Sequence, residues 1–196
     1  TNETRIDGSG LFANGVVSPS EMPSLLSLGV RYKATDRLQT LFGAHYFFDK
    51  GAKYGKKDKI TGDYVTNGSI VTLSDGTTGS YLSGNSYELS AGVEYNLTKK
   101  IMISAGYLFS CTSPNPAYQT DMSYTLVSSS LGIGGVIHIK DRLDLNLGVS
   151  GTLYNDYEKT VNYPNPANPA TTIAVKELYQ RTNYIFSIGL GYHFGE

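Results

Sequence analysis

The chain has 196 residues with 22 Gly, 16 Tyr, 7 Phe, one Cys and no Trp, and its formal net charge is −1. This charge gives no general attraction for phosphate backbones, which disfavours nucleic-acid binding, and the single cysteine, Cys111, excludes an internal disulfide. No stretch approaches the roughly 18 consecutive apolar residues of a spanning helix, which excludes a helical membrane protein. The length allows one domain, and abundant Gly and Tyr favour strands because both are weak helix formers.

Strict alternation of apolar and polar residues predicts seven strands, most of them about 10 to 16 residues long. In chain order they are 26–33, 38–48, 87–97, 101–110, 124–139, 143–154 and 184–194. In the fifth strand the apolar parity shifts between Leu126 and Leu131, so we expect a β-bulge across Ser128–Ser130. The Gly132–Gly135 cluster in the same strand indicates close packing or a bend.

The connections between these strands alternate in length. Residues 34–37, 98–100 and 140–142 are tight, charged turns, whereas 50–83, 111–123 and 155–181 are long, polar and rich in Gly, Asn, Pro and Thr. Barrels of the bacterial outer membrane combine short periplasmic turns with long extracellular loops. The pattern predicts an all-β, antiparallel transmembrane β-barrel with a periplasmic C-terminus and tyrosines at both bilayer interfaces. The alternative is a soluble sandwich whose tyrosines cover a core.

Two stretches resemble a known family. They are Met22–Leu38 with the following Gly43–Lys50, and the Tyr-Asn-Leu-Thr-Lys-Lys turn at 95–100 with its flanking strands. Both are similar to the second half of the OMPP1/FadL/TodX family of hydrophobic-compound transporters, in its Bacteroidetes-type versions. The resemblance covers about residues 11–194. It implies a fourteen-stranded barrel that carries long-chain fatty acids or aromatic hydrocarbons across the outer membrane by passive diffusion.

Seven strands cannot close by simple up-and-down pairing, because the first and last strands of an antiparallel barrel must run oppositely. We therefore expect residues 24–196 to be the C-terminal portion of a larger barrel and residues 1–23 to be an extracellular loop segment. No signal peptide opens the chain at Thr1, which agrees with this expectation. The N-terminal half of the same barrel is then a predicted partner. The alternative is that Gly10 to Val17 supplies an eighth strand and closes a small barrel.

The predicted lumen face mixes polar and apolar side chains, unlike the dense ladder of charges expected of a general diffusion porin. An amphipathic ligand suits such a lining, with its apolar tail on Leu41, Phe47 or Leu108 and its headgroup near Arg31 or Lys33. These five residues are the predicted ligand-binding site. The other predicted partner is outer-membrane lipid or detergent.

The three histidines, His45, His138 and His193, lie on the predicted lumen face. His138 and His193 are expected near the periplasmic rim and His45 toward the outer end, so no catalytic site, cofactor or metal is predicted. A basic run at 53–59 could attract lipopolysaccharide phosphates, although a solvated loop is the simpler interpretation. Two alternatives to transport stay open: a structural or secretion-associated barrel that anchors or presents protein cargo, and an outer-membrane hydrolase.

Overall fold

The computed structural model describes residues 2–3, 17–18, 21–57, 64–66, 71–72, 78–80, 82–115, 119, 124–140 and 142–194. Within these ranges the regular structure is antiparallel β-sheet, apart from one short 3-10 turn at Asp49–Gly51. None of the helical structure found there has the length and apolar character of a membrane span.

Seven long strands form the main sheet, as the alternation predicts. They are β1 (Leu25–Lys33), β2 (Leu38–Phe47), β3 (Ser86–Asn96), β4 (Ile101–Cys111), β5 (Ser128–Lys140), β6 (Leu143–Tyr154) and β9 (Thr182–Tyr192), with β7 (Tyr157–Asn165) and β8 (Asn168–Tyr179) as a separate hairpin. Their spatial order, β1-β2-β3-β4-β5-β6-β9, follows the chain, so each strand pairs with the preceding and the following strand of this sheet. Over the described part of the chain the sheet is open, with β1 and β9 at its edges.

Three short strand pairs lie outside the main sheet. They are Asn2–Glu3 with Val17–Ser18, Lys53–Lys57 with Tyr64–Thr66, and Val71–Thr72 with Thr78–Gly79. Most of the proposed extracellular segment 1–23, and residues 10–16 of the alternative eighth strand, lie outside the described residues. Val17 pairs with Glu3 in the first of these small sheets.

The tight turns after β1 and β3 are built in the same way. In each, a threonine hydroxyl accepts a hydrogen bond from the backbone N–H three residues later, from Leu38 to Thr35 at 3.0 Å and from Ile101 to Thr98 at 3.1 Å. Such side-chain bonds stabilise the turn backbone without a longer loop. The sequence prediction of tight connections at these positions is confirmed.

The predicted bulge at Ser128–Ser130 is wrong. The β5 ladder to β4 is regular from Ser128 onward, and the register shift lies at the other end of the strand, between His138 and Lys140. Leu126 precedes the strand and is buried, so its side chain does not belong to the alternation that begins at Ser128. The parity change marks the strand's beginning.

The connection 155–181 was expected to be a loop and is instead the β7–β8 hairpin. On one face of it Tyr163 and Tyr179 donate hydrogen bonds to the carboxylate of Glu177, the second at 2.6 Å, and Lys159 lies 3.5 Å from the same carboxylate. These hydrogen bonds, with the smaller contribution of the Lys159 charge, lower the pKa of Glu177. Tyr179 is only 5% exposed, so the cluster anchors the base of the hairpin.

Chain contacts divide the protein into two compact units. The first comprises residues 1–26, 45–87 and 112–125, and the second 27–44, 88–111 and 126–196. Within the first, the backbone N–H of Phe48 donates to Ser24, and Asp49 accepts from the backbone of Ser86 at 2.9 Å. The backbone N–H of Lys53 donates to Glu21 at 3.0 Å, whereas Lys59 of the predicted basic run lies outside the described residues.

The two faces of the main sheet have the reverse of the exposure found in soluble proteins. Along β3 the side chains alternate in exposure, and the exposed set is the apolar one: Tyr87, Leu89, Ala91, Val93 and Tyr95. The register carries this arrangement across the sheet, since Ala105, Ile133, Val149 and Phe186 are aligned on the same face. We call it the apolar face and the opposite one the polar face.

An ordinary hydrophobic core is absent from the described part of the chain. The buried apolar residues there are Ala52, Leu126 and Tyr179, and none of them lies in the seven-stranded sheet. Exposed apolar residues, by contrast, occur on every strand of that sheet. The sandwich alternative requires a covered face, so the structure does not support it.

Candidate functional site

The candidate site is a cavity on the polar face, all of whose lining residues belong to the second compact unit. Its volume is about 380 Å³. It is lined by Leu41, Ser90, Ala91, Gly92, Val93, Glu94, Ser104, Ala105, Gly106, Tyr107, Leu108, Ser130 and Gly132. We call it the polar-face cavity.

Small residues create the space. Glycines from three adjacent strands, Gly92, Gly106 and Gly132, line the cavity and leave room that a larger side chain would occupy. A Cβ atom at Gly92 would lie 3.9 Å from the Leu41 side chain and so would fill part of the opening. A second hollow of about 280 Å³ shares Ser104 and Gly132 with the cavity. The polar face therefore carries a hollow track across several strands.

Two leucines supply the cavity's apolar wall. Leu41 comes from β2 and Leu108 from β4, where an alternating strand pattern would ordinarily put polar side chains on this face. Serine hydroxyls lie beside them, and that of Ser130 is hydrogen-bonded to Thr152 at 2.7 Å. Such a mixture of apolar contacts and a few polar groups is the usual composition of small-molecule sites.

The two cations that were predicted to bind a headgroup, Arg31 and Lys33, are each paired with a carboxylate. Arg31 Nη2 lies 3.1 Å from Glu94 Oε2, so the guanidinium of β1 reaches over β2 to a carboxylate of β3. Lys33 Nζ lies 2.8 Å from Asp36 Oδ1 in the turn that follows β1, where this hydrogen bond and the ammonium charge lower the pKa of Asp36. Both predicted headgroup-binding cations thus face a carboxylate of the protein itself.

The structure brings together part of the predicted ligand-binding set. Leu41 and Leu108 line the cavity, and Arg31 is at its rim through Glu94. Lys33 and Phe47 lie at opposite ends of the neighbouring strands β1 and β2, and neither lines the cavity. Glu94 was not among the predicted site residues, because its proximity to Arg31 depends on the register between non-adjacent strands, although the alternation of β3 puts it on the polar face.

Two of the three histidines, His138 and His193, are arranged around Asp144. His138 Nδ1 lies 2.6 Å from Asp144 Oδ1 and His193 Nε2 lies 2.9 Å from Asp144 Oδ2, while the backbone N–H of His193 donates to Arg142. This cluster ties the ends of β5 and β6 to the residue after β9. His45 is in β2, its ring centroid 6.4 Å from that of Phe47. Over the residues described, no group of His, Cys, Asp and Glu can hold a metal ion.

Several solved structures are similar to this chain. A CymD monoaromatic hydrocarbon channel aligns with a TM-score of 0.51 and 14% identity, over 91% of this chain and 37% of that channel. A Pseudomonas aeruginosa FadL homologue aligns with a TM-score of 0.54 and 17% identity, over 87% of this chain and 35% of the homologue. The chain thus spans little more than a third of each. No model of a protein family and no curated protein sequence matches it.

These likenesses establish the fold. The chain has the antiparallel β-sheet fold of these two proteins, and the prediction of an all-β, antiparallel barrel fold is confirmed. The first of these proteins is named as a channel and the second as a FadL homologue, and neither name is that of an enzyme.

Proposed function

We propose that this chain is part of an outer-membrane barrel through which hydrophobic or amphipathic small molecules pass by diffusion, with the polar-face cavity on their route. The cavity is the main support for this proposal, because Leu41 and Leu108 offer apolar contacts on a face that is otherwise polar. The named channel among the similar structures is for monoaromatic hydrocarbons. Long-chain fatty acids and aromatic hydrocarbons are the two ligand classes we propose.

We propose that the apolar face of the sheet contacts a lipid bilayer. On β9 alone, Phe186, Ile188 and Leu190 are each more than 70% exposed. Contiguous apolar area of this kind is stable against hydrocarbon and unfavourable in water. The orientation we propose places the long connections outside the cell and the C-terminus in the periplasm. The finer attribution to the OMPP1 branch of Bacteroidetes-type bacteria belongs to the same proposal.

Further strands are proposed to complete the barrel. The edges β1 and β9 present backbone N–H and C=O groups along one side each. Hydrocarbon cannot satisfy such groups, so sheets within a membrane are closed. We propose that the N-terminal half of the same barrel pairs with these edges and that the complete barrel has fourteen strands. The mass of the folded product taken directly from outer membranes tests this: 21.3 kDa for a barrel made by this chain alone would contradict it.

Transport is tested with vesicles that carry the purified barrel in their membrane and take up radiolabelled toluene or palmitate from the medium. Leu108→Trp fills the cavity and should reduce uptake severalfold. Leu131→Trp is the matched control, because Leu131 is 63% exposed on the apolar face of the adjacent strand, and uptake should stay as in the wild type. Equal uptake by the two variants would contradict the proposal. Hydrolysis of peptides or lipids by the same preparation, without uptake, would favour the hydrolase alternative.

A second candidate function is an outer-membrane barrel that anchors or presents protein cargo. The β7–β8 hairpin favours it, because Tyr163, Ile173 and Val175 are exposed together on one face of a hairpin that lies outside the main sheet. Replacing residues 157–179 with a short Gly-Ser turn separates the two functions. Loss of a surface-displayed protein with unchanged uptake would favour the cargo role, and the reverse result would favour transport.

A further inference from the structure

We infer that Glu94 is a specificity-determining residue: it neutralises Arg31 and thereby restricts the polar-face cavity to uncharged apolar molecules. This inference rests on the proposed function, since it concerns which ligands that cavity accepts. It narrows the two proposed ligand classes to one, and it gives Glu94 a role that its position in an alternating strand does not suggest.

The Arg31–Glu94 ion pair lies at the edge of the cavity. Arg31 Nη2 lies 3.1 Å from Glu94 Oε2, and the two residues come from strands that are separated by β2. Glu94 is the charged residue among those that line the cavity, and its side chain is 30% exposed against 62% for Arg31. The carboxylate is therefore on the cavity side of the pair and the guanidinium on its rim.

The consequence for a charged ligand follows from like-charge repulsion. A guanidinium is the side chain best suited to bind a carboxylate, through short, charge-assisted hydrogen bonds. Here Glu94 already occupies that position. A fatty-acid headgroup entering the cavity would have to displace Glu94 from Arg31 and then lie beside it, and two neighbouring carboxylates repel each other most strongly where water is partly excluded.

The cavity also has the room and lining for an uncharged ligand. Its volume is about 380 Å³, and a dry apolar cavity of about 150 Å³ is already sufficient for benzene. Leu41 and Leu108 provide dispersion contacts with a ring or a short hydrocarbon chain. Neutral polar atoms of such a ligand have serine hydroxyls within the lining, for example that of Ser104.

The experiment compares two ligands that differ only in charge, labelled decanol and decanoate, at neutral pH. The barrel is purified from outer membranes in detergent with its complete sequence, and binding is measured by equilibrium dialysis. The wild type should bind decanol at least about tenfold more tightly than decanoate. Glu94→Gln should raise the affinity for decanoate about tenfold, because Arg31 is then free to accept it, and should change decanol binding by far less.

Two further variants isolate the cause. Arg31→Gln combined with Glu94→Gln removes both charges, and decanoate binding should remain as weak as in the wild type. Asp36→Asn is the matched control, because it breaks the other ion pair, that of Lys33 in the turn, and should change neither ligand's affinity. Unfolding curves of all variants should coincide, which would show that binding differences do not arise from misfolding.

The outcomes separate the two proposals. Unchanged decanoate binding in Glu94→Gln, or an equal gain in the double variant, would overturn the role of Glu94 while decanol binding still supported the cavity. Absence of decanol binding in the wild type and in every variant would overturn the proposed function itself, and this inference with it.

Discussion

The assignment of the two faces makes a sharp prediction at two adjacent positions of β9. Phe186 is 80% exposed on the apolar face, and Ser187 is on the polar face. Arginine is introduced at each in turn. Because the positions are neighbours in one strand, their depth in a bilayer is almost the same, and only the face differs.

The expected cost of an arginine at position 186 depends on how deep this position lies in the bilayer. A strand rises about 3.4 Å per residue and is tilted by about 40° in a barrel, so each residue contributes about 2.6 Å of depth. Phe186 is the fifth residue of the eleven in β9, which places it about 10 Å from the Thr182 end and about 16 Å from the Tyr192 end. It is therefore near the middle of an apolar band that is about 25 Å tall, where arginine on the lipid face costs about 2–4 kcal/mol.

The assay is reversible unfolding of the barrel by denaturant in phospholipid vesicles, followed by far-ultraviolet circular dichroism. Phe186→Arg should lower the free energy of unfolding by about 2–4 kcal/mol. Ser187→Arg should lower it by less than about 1 kcal/mol, because the polar face tolerates a solvated charge. Equal losses for the two variants, or a larger loss for Ser187→Arg, would refute the assignment of lipid to the apolar face.

Two other predictions concern local features of the backbone and of the hairpin. A Cβ at Gly135 would lie 2.9 Å from the backbone oxygen of Met102, so Gly135→Ala should lower the free energy of unfolding by about 1–3 kcal/mol. A Cβ at Gly29 would lie 3.9 Å from its nearest neighbour, the backbone oxygen of Phe42, so Gly29→Ala should lower it clearly less. The same unfolding assay compares the two variants. In the hairpin, the lowered pKa of Glu177 means that its stabilising effect is complete above the ordinary carboxyl pKa and is lost as pH falls through the lowered value. Glu177→Gln should therefore remove the loss of hairpin stability at low pH. The measurement is hydrogen exchange over 157–179 in both proteins at decreasing pH. The same pH profile in the variant and the wild type would contradict a stabilising role of the Glu177 carboxylate.

The main sheet was predictable because its alternation has a single cause. Each strand has one apolar and one polar face, so the period-two pattern is uninterrupted in residues 87–97 and 184–194 and fixes the strand bounds to within about two residues. The hairpin was not predictable in the same way. Both faces of β7 and β8 carry polar residues, and the Asn, Pro and Thr of this segment are also the composition of a loop.

The candidate site could be predicted from the sequence only in part. That Leu41 and Leu108 share a face with Arg31 could be predicted from parity within each strand. The Arg31–Glu94 ion pair could not, because it depends on the stagger of β1 against β3 through the strand between them. Parity gives the face of a side chain, whereas its height along the barrel wall depends on every turn and register shift before it.

The unusual content of Gly and Tyr has a physical explanation in the two faces. Three of the glycines, Gly92, Gly106 and Gly132, line the polar-face cavity, where the missing side chain is the space that a ligand would occupy. Tyrosines lie on the opposite face near strand ends: Tyr32, Tyr95 and Tyr192 at the ends next to tight turns or the C-terminus, and Tyr46 and Tyr87 at the ends next to a long connection. An aromatic ring with a polar tip is suited to both bilayer interfaces. In the proposed bilayer, one composition would serve two requirements: a hollow on one side of the sheet, and aromatic rings at both interfaces on the other.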